Sequence, residues 1–265
     1  MSYLLNKNLL RVYLTSDELV ICTLNGLLRP TVTMQQKVPI HNSTVDSTNT
    51  TILTAMETWL QTTKLQTGTR VEWILGLSHV RHILVPWTPK LVDQAFRQSI
   101  ADAIFGQQFH EDATNYQACF SKISIGKPVI VAYVDSKLLS GIKLLADSYN
   151  HQIKSIKPLL MLVWNQLDSL LSKENSQLHI WENQRVLKIT NVFGHIQQLE
   201  LWPINNTIIE LQPSTDNNGK LTRVFPAIGQ QNLFSRHANQ GSIIANQQST
   251  SNSDKMLYSV AMYGI

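Results

Sequence analysis

Several short stretches of the chain hold residue types that could do chemistry. His110-Glu111-Asp112 sets an imidazole beside two carboxylates, a set that ligates zinc when the side chains converge. Adjacent residues cannot all turn toward one ion, and no partner histidine stands nearby at ligand spacing, so a solvated loop is the simpler reading. His79 and His82 are three apart in a strand-turn-strand region, where that spacing sends them to opposite faces. Ser124-Ile125-Gly126-Lys127 has the Ser-x-x-Lys spacing of acyl-transferring serine enzymes, but that motif belongs on a helix and this one falls in a hairpin turn. Asp135 ends an apolar strand, a place where open α/β sheets bind ligands. Its favoured role is the N-cap of a helix opening at Ser136.

Phosphate binding asks for backbone amides or a lysine presented by a glycine-rich turn at a helix start. The 11 glycines of this chain do not cluster. Cys22 and Cys119 lack CxxC spacing and read as buried free thiols. Of the six tryptophans, Trp87 stands between Pro86 and Pro89 at a strand end, where a ring left partly exposed would serve as an interface anchor. Charged residues make up 15% of the chain and the net charge is +4, with Lys and Arg scattered, so no nucleic-acid arm or polybasic membrane segment is indicated. The N-terminus lacks the apolar core and cleavage site of a signal peptide, and no window approaches the ~20 apolar residues of a transmembrane helix. A cytoplasmic protein is expected, with the sequons at Asn42, Asn49 and Asn205 accidents of composition.

The elements that must carry these residues alternate between strand and helix patterns. Leu10 to Leu14, Leu19 to Leu24 and Thr31 to Val38 form a three-stranded meander, turned the second time at Asn25-Gly26. Ile52 to Leu60 follows helical spacing, Arg70 to Leu77 and His82 to Trp87 read as strands, and a helix from Leu91 closes at Gly106. A strand pair turned at Gly126-Lys127, a helix from Ser136, a short strand around Ile153 and a helix opened by Pro158 follow. A second meander, Gln177 to Trp181, Val186 to Val192 and Ile196 to Trp202, echoes the first and suggests two halves of similar build. Strands are also expected at Thr207 to Leu211 and Leu221 to Phe225, a polar loop at 230–254, and a closing helix from Lys255 to Tyr263. Such interleaving indicates an α/β protein.

The layout resembles the actin-like proteins of type IV pilus and type II secretion machines: PilM, the cytoplasmic part of GspL, and MshI. Leu75-Gly-Leu-Ser-His-Val-Arg81 with Ile83-Leu-Val-Pro-Trp87 is similar to the family's central strand pair. Val129-Ile-Val-Ala-Tyr-Val-Asp135 followed by Leu138-Leu-Ser-Gly-Ile142 resembles its next strand and helix. Ile153 to Trp164 is similar to the segment that crosses between lobes, and Leu257 to Ile265 resembles the closing helix. The resemblance implies a two-lobed actin-like (RNase H-like) fold with mixed sheets flanked by helices and a reduced second lobe. The first lobe is placed at 1–157 and the second at 158–265.

Nucleotide-binding members of such a family carry an acidic-x-Gly turn between the first two strands of each lobe. The corresponding turns here, Leu14-Thr-Ser-Asp-Glu18 and Trp181-Glu-Asn-Gln-Arg185, contain no glycine and cannot give the close backbone approach that glycine permits. The resemblance therefore implies a non-catalytic cytoplasmic scaffold without cofactor or metal, at the inner face of the inner membrane. It would dock an inner-membrane assembly protein, and the motor ATPase is a further candidate partner. Arg81, Trp87 and Phe96 are the candidate partner-binding residues. The alternative is an actin-like ATPase holding ATP in the interlobe cleft through Asp17, Asp135 and Glu182. A nucleic-acid enzyme of RNase H-like build would need carboxylates gathered around metal ions, and the 18 acidic residues are largely isolated.

Overall fold

The structure is a computed structural model of the chain, and it describes residues 9–25, 31–40, 48–63, 65–173, 175–183, 185–203 and 221–226. The expected turn at Asn25-Gly26, strand at Thr207 to Leu211, polar loop at 230–254 and closing helix at Lys255 to Tyr263 lie wholly or partly outside them. Strands β1 (Leu9–Leu14), β2 (Glu18–Asn25) and β3 (Thr31–Pro39) form the first meander, followed by helix α1 (Thr48–Thr62) and β4 (Arg70–Leu75). Then come β5 (Val80–Val85), a 3-10 turn at Pro89–Val92, α2 (Gln94–Phe109), β6 (Tyr116–Phe120), β7 (Val129–Asp135), α3 (Ser136–Ser148), β8 (Gln152–Pro158) and α4 (Leu159–Leu171). The second meander is β9 (Asn175–Glu182), β10 (Arg185–Val192) and β11 (His195–Pro203), and β12 (Leu221–Pro226) follows.

Two compact units divide the chain, and each takes discontinuous segments. One runs to Val80 and resumes for Val134–Val163, while the other holds Arg81–Tyr133 and continues from Trp164. The first unit is built on a five-stranded sheet of order β3-β2-β1-β4-β8. β2 is antiparallel to both its neighbours, and β1, β4 and β8 run parallel. Parallel strands are covered on both faces and so read as near-continuous apolar runs. Accordingly β1 and β4 are buried along almost their whole length. Trp73 and Tyr13 are fully enclosed there, each burial worth about 2–3 kcal/mol.

Helix α3 begins at Asp135, whose carboxylate accepts the amides of Lys137 at 2.6 Å and Leu138 at 3.2 Å. Its Leu138, Leu139 and Ile142 are buried. Gly141 lets α3 approach α1, because a Cβ there would meet Leu53 Cδ1 at 2.2 Å.

The second unit holds two sheets. The smaller has the order β5-β7-β6, with a core of Ile83, Val85, Leu91, Phe105, Val131 and Tyr133. Helix α2 ends later than its sequence indicates. It runs through Gly106 to Phe109 and is closed by His110 at φ 57°, since a single glycine inside a packed helix costs only about 1 kcal/mol. Cys119 is exposed, not buried as its apolar neighbours suggest, because β6 lies at the sheet edge and alternate residues face away. The larger sheet has the order β11-β10-β9-β12, with β10 antiparallel to its neighbours and β12 parallel to β9. Third, second, first, fourth is also the order of the leading strands of the first sheet. The echo seen in the sequence is thus a repeat of topology.

Candidate functional site

The turn between β1 and β2 is where an actin-like lobe would hold phosphate, and here it is closed on itself. The Thr15 amide donates to Glu18 O at 3.0 Å, the Glu18 amide to Thr15 Oγ1 at 3.1 Å, and the Asp17 amide faces the same hydroxyl at 3.4 Å. Thr15 Oγ1 in turn donates to Glu18 O at 3.0 Å. A phosphate cradle needs several amides pointing outward together. Three amides of this turn are already engaged by Thr15 and Glu18. Asp17 accepts from Ser16 Oγ at 2.5 Å, and its carbonyl accepts from the Ile40 amide at 2.6 Å. His79, three residues before the buried His82, brings Nε2 to within 2.7 Å of Thr15 O. His79 braces the turn, and burial pushes the His82 pKa down to about 4.

The equivalent turn of the second meander joins Glu182 to its cross-strand partner Arg185, with Asn183 at φ 48°. Glu182 is buried at the end of β9. Burial lowers the Arg185 pKa, helped by the charge of Arg81 and opposed by Glu182. Asp135 caps α3 through Oδ1, while its Oδ2 accepts from Asn49 Nδ2 at 3.0 Å. Among the described residues no group of three or more His, Cys, Asp or Glu side chains is placed to hold a metal ion.

Arg81, Trp87 and Phe96 all belong to the second unit. Arg81 leaves β5 to meet Glu111 at 3.4 Å and lies over the Phe109 ring at 5.8 Å. Trp87 and Phe96 are only partly buried, packed against the core of the small sheet. Lys90 sits 5.8 Å over the Phe96 ring. His110, Glu111 and Asp112 separate into three roles: helix cap, partner of Arg81, and acceptor of the Thr114 amide at 2.9 Å.

One cluster was not visible in the sequence. Glu72, 1% exposed, accepts from Arg11 Nε at 2.5 Å, Lys157 Nζ at 2.7 Å and Ser155 Oγ at 2.8 Å, with Lys154 at 4.0 Å. Burial alone would raise the carboxyl pKa. The hydrogen bonds from Lys157, Arg11 and Ser155 and the Arg11 charge override it and hold the group down at about 2. Its parts come from β1, β4 and β8, far apart in the chain, so spacing carries no sign of it. A separate groove of about 690 Å³ runs between β3 and α1, lined by Gln36, Thr51, Thr54, Thr58 and Trp59.

A five-stranded sheet of order 3-2-1-4-5 with its second strand reversed, repeated in part by a second meander sheet, defines the actin-like class of α/β proteins. Comparison with solved structures shows the same fold. The chain is similar to a Bacteroides thetaiotaomicron protein described as having an actin-like ATPase fold and unknown function. That match has a TM-score of 0.56 and 10% identity, over 87% of this chain and 86% of that one. It is similar to the cytoplasmic domain of EpsL, an inner membrane component of the type II secretion system of Vibrio cholerae. There the TM-score is 0.53 and the identity 14%, over 96% and 94%. It is also similar to the PilM-PilN type IV pilus biogenesis complex, with a TM-score of 0.50 and 11% identity, over 73% of this chain and 61% of that one. No protein-family model and no curated protein matches the sequence. The fold implied by the resemblance to PilM and GspL is the fold observed. No described helix is long and apolar enough to cross a membrane.

Proposed function

We propose that this chain is a non-catalytic scaffold of a type II secretion or type IV pilus machine. Its lobes are taken as 1–157 and 158–265. It docks an inner-membrane assembly protein at the cytoplasmic face of the membrane, with the motor ATPase as a second partner. The observation that carries the reading is the β1–β2 turn, where Thr15 and Glu18 engage the amides that an actin-like ATPase would turn toward phosphate. The fold shared with a type II secretion component and with PilM supplies the setting. Arg81, Trp87 and Phe96 are proposed to contribute to the docking surface. Calorimetric titration with ATP and magnesium is expected to give no saturable heat. Micromolar binding that is lost in Asp17→Ala or Glu182→Ala would overturn this reading in favour of a nucleotide-binding protein. Pull-down of the chain from native membranes is expected to recover an envelope assembly protein, and recovery of none would remove the docking role.

A further inference from the structure

The β10–β11 hairpin breaks a rule that its neighbour keeps. Both hairpins of the second meander close with two residues between paired ends, Glu182 with Arg185 and Val192 with His195. Such tight turns need positive φ at their first central residue, which favours Asn, Asp or Gly. Asn183 meets the rule at φ 48°. Phe193, at φ 46° and followed by Gly194 at 79°, does not. Among the described residues four non-glycine residues have positive φ, and the other three are His or Asn, the types that tolerate it.

A bulky residue there is strained, and burial gives no compensation, since Phe193 is 57% exposed. Strain that the surroundings hold in place points to function. The surroundings here are firm. Buried Asn191 accepts the Gly194 amide at 3.0 Å and donates to Leu171 O at 2.9 Å and Ser176 Oγ at 3.0 Å. A Cβ on Gly194 would stand 3.2 Å from Ser172 Cα. The ring is thus presented outward on a fixed base.

A second apolar tip accompanies it. The Ser124–Lys127 turn is closed by the Lys127 amide on Ser124 O at 3.1 Å, with Gly126 at φ 75°, as the third position of a type II turn requires. Ile125 is 87% exposed, although the second position of that turn accepts polar residues equally well. Lys127 Nζ contacts His195 Nε2, which joins the two turns. The stretches Ser121 to Pro128 and Asn191 to Gln198 hold Lys122 and Lys127 and no carboxylate.

We propose that Ile125 and Phe193 form a two-pronged contact with an anionic lipid surface, entering its interfacial layer while Lys122 and Lys127 sit at the headgroups. Both side chains stand exposed on turns whose stretches together carry lysines and no carboxylate, the charge that a negatively charged lipid layer complements. Apolar side chains flanked by lysines are the composition of interfacial anchors. The contact needs no protein partner, so it stands or falls separately from the docking role above.

The test is co-sedimentation of the full chain with phosphatidylglycerol-containing vesicles and with pure phosphatidylcholine vesicles. Binding to the anionic vesicles is expected, weakened by salt, with little binding to the neutral ones. Phe193→Asn should reduce partitioning about tenfold while leaving the melting temperature unchanged or raised, because Asn suits the turn. Ile125→Ser should reduce partitioning similarly, and it carries the test should Phe193→Asn fail to fold. A wild-type chain that stays in the supernatant with anionic vesicles overturns the proposal, and a protein-binding role for the tips would give that outcome. Variants that bind as well as the wild type overturn it too.

Discussion

Replacing Glu72 by glutamine tests the buried ion cluster most directly. The amide keeps the shape of the carboxylate and removes its charge, so that Arg11, 4% exposed, loses its ion pair with Glu72. Lys157 and Lys154 are each more than a third exposed and can turn toward water, so the cost concentrates on Arg11. Removing one partner of a buried pair costs about 3–5 kcal/mol. Independently, a carboxyl moved from 4.5 to about 2 corresponds to roughly 3 kcal/mol, less some screening at Lys157. A loss near 3 kcal/mol would lower Tm by roughly 6–12 °C.

The pH dependence is specific. Because the folded pKa lies below the unfolded one, the contribution is complete above about 4.5 and disappears as pH falls through about 2. Urea melts of wild type and Glu72→Gln at a series of pH values should show a gap that is constant near neutrality, narrows below pH 4.5 and closes near 2. Arg11→Met combined with Glu72→Leu should restore most of the loss, since apolar replacement of a whole buried pair is often neutral. A gap under about 1 kcal/mol at neutral pH, or one that does not change with acid, would refute this account.

Two further outcomes follow from buried groups. His82 is held neutral by burial, with its pKa pushed down to about 4, so protonation favours the unfolded chain and stability should fall as pH drops from about 6.5 through 4. His82→Phe should flatten that part of the stability profile measured by urea melts, and an unchanged slope would show that other groups set it. Cys22 is fully buried, with burial pushing its thiol up to about 12 against the pull of Arg11, while Cys119 is exposed. A thiol reagent should therefore label one cysteine in the native protein and two in urea, and the Cys119→Ser protein should label only when unfolded.

Much of this fold is legible in the sequence because it rests on local signals. The meander strands announce themselves by apolar runs between polar turns, Asp135 stands where a helix must be capped, and Pro158 marks the boundary ahead of α4, although it ends strand β8 and the helix opens at Leu159. The topological repeat also showed through, since β9, β10 and β11 reproduce the pattern of β1, β2 and β3. What stayed hidden depends on distance. Arg11, Glu72 and Lys157 look like unremarkable strand charges until three parallel strands put them side by side. Gly106 suggests an earlier end to α2, but a glycine stops a helix only when packing does not override it, and His110 takes the left-handed position instead. The exposure of Cys119 is not legible because strand alternation does not say which face of an edge strand is covered. The Phe-Gly pair at 193–194 was readable as an oddity, a tight turn filled by the wrong residue type, but only if the hairpin ends had first been fixed.

The ion cluster also selects among alternative strand pairings. Arg11 lies opposite Glu72 in the parallel β1–β4 ladder and opposite Cys22 in the antiparallel β1–β2 ladder. Sliding β1 by one residue would set Arg11 across from Val71 or Trp73 and turn every side chain of the strand to the other face. A two-residue slip would keep the faces but set Arg11 opposite Arg70 or Ile74 and move it out of direct register with Glu72. The aliphatic residues of β1, Leu9, Leu10, Val12 and Leu14, are close in size, so among them shape alone discriminates weakly and the Tyr13 ring and the Arg11 charge carry more of the register. The buried Arg11–Glu72 pair thus favours the native alignment, since a slip of β1 would take the two charges out of direct register.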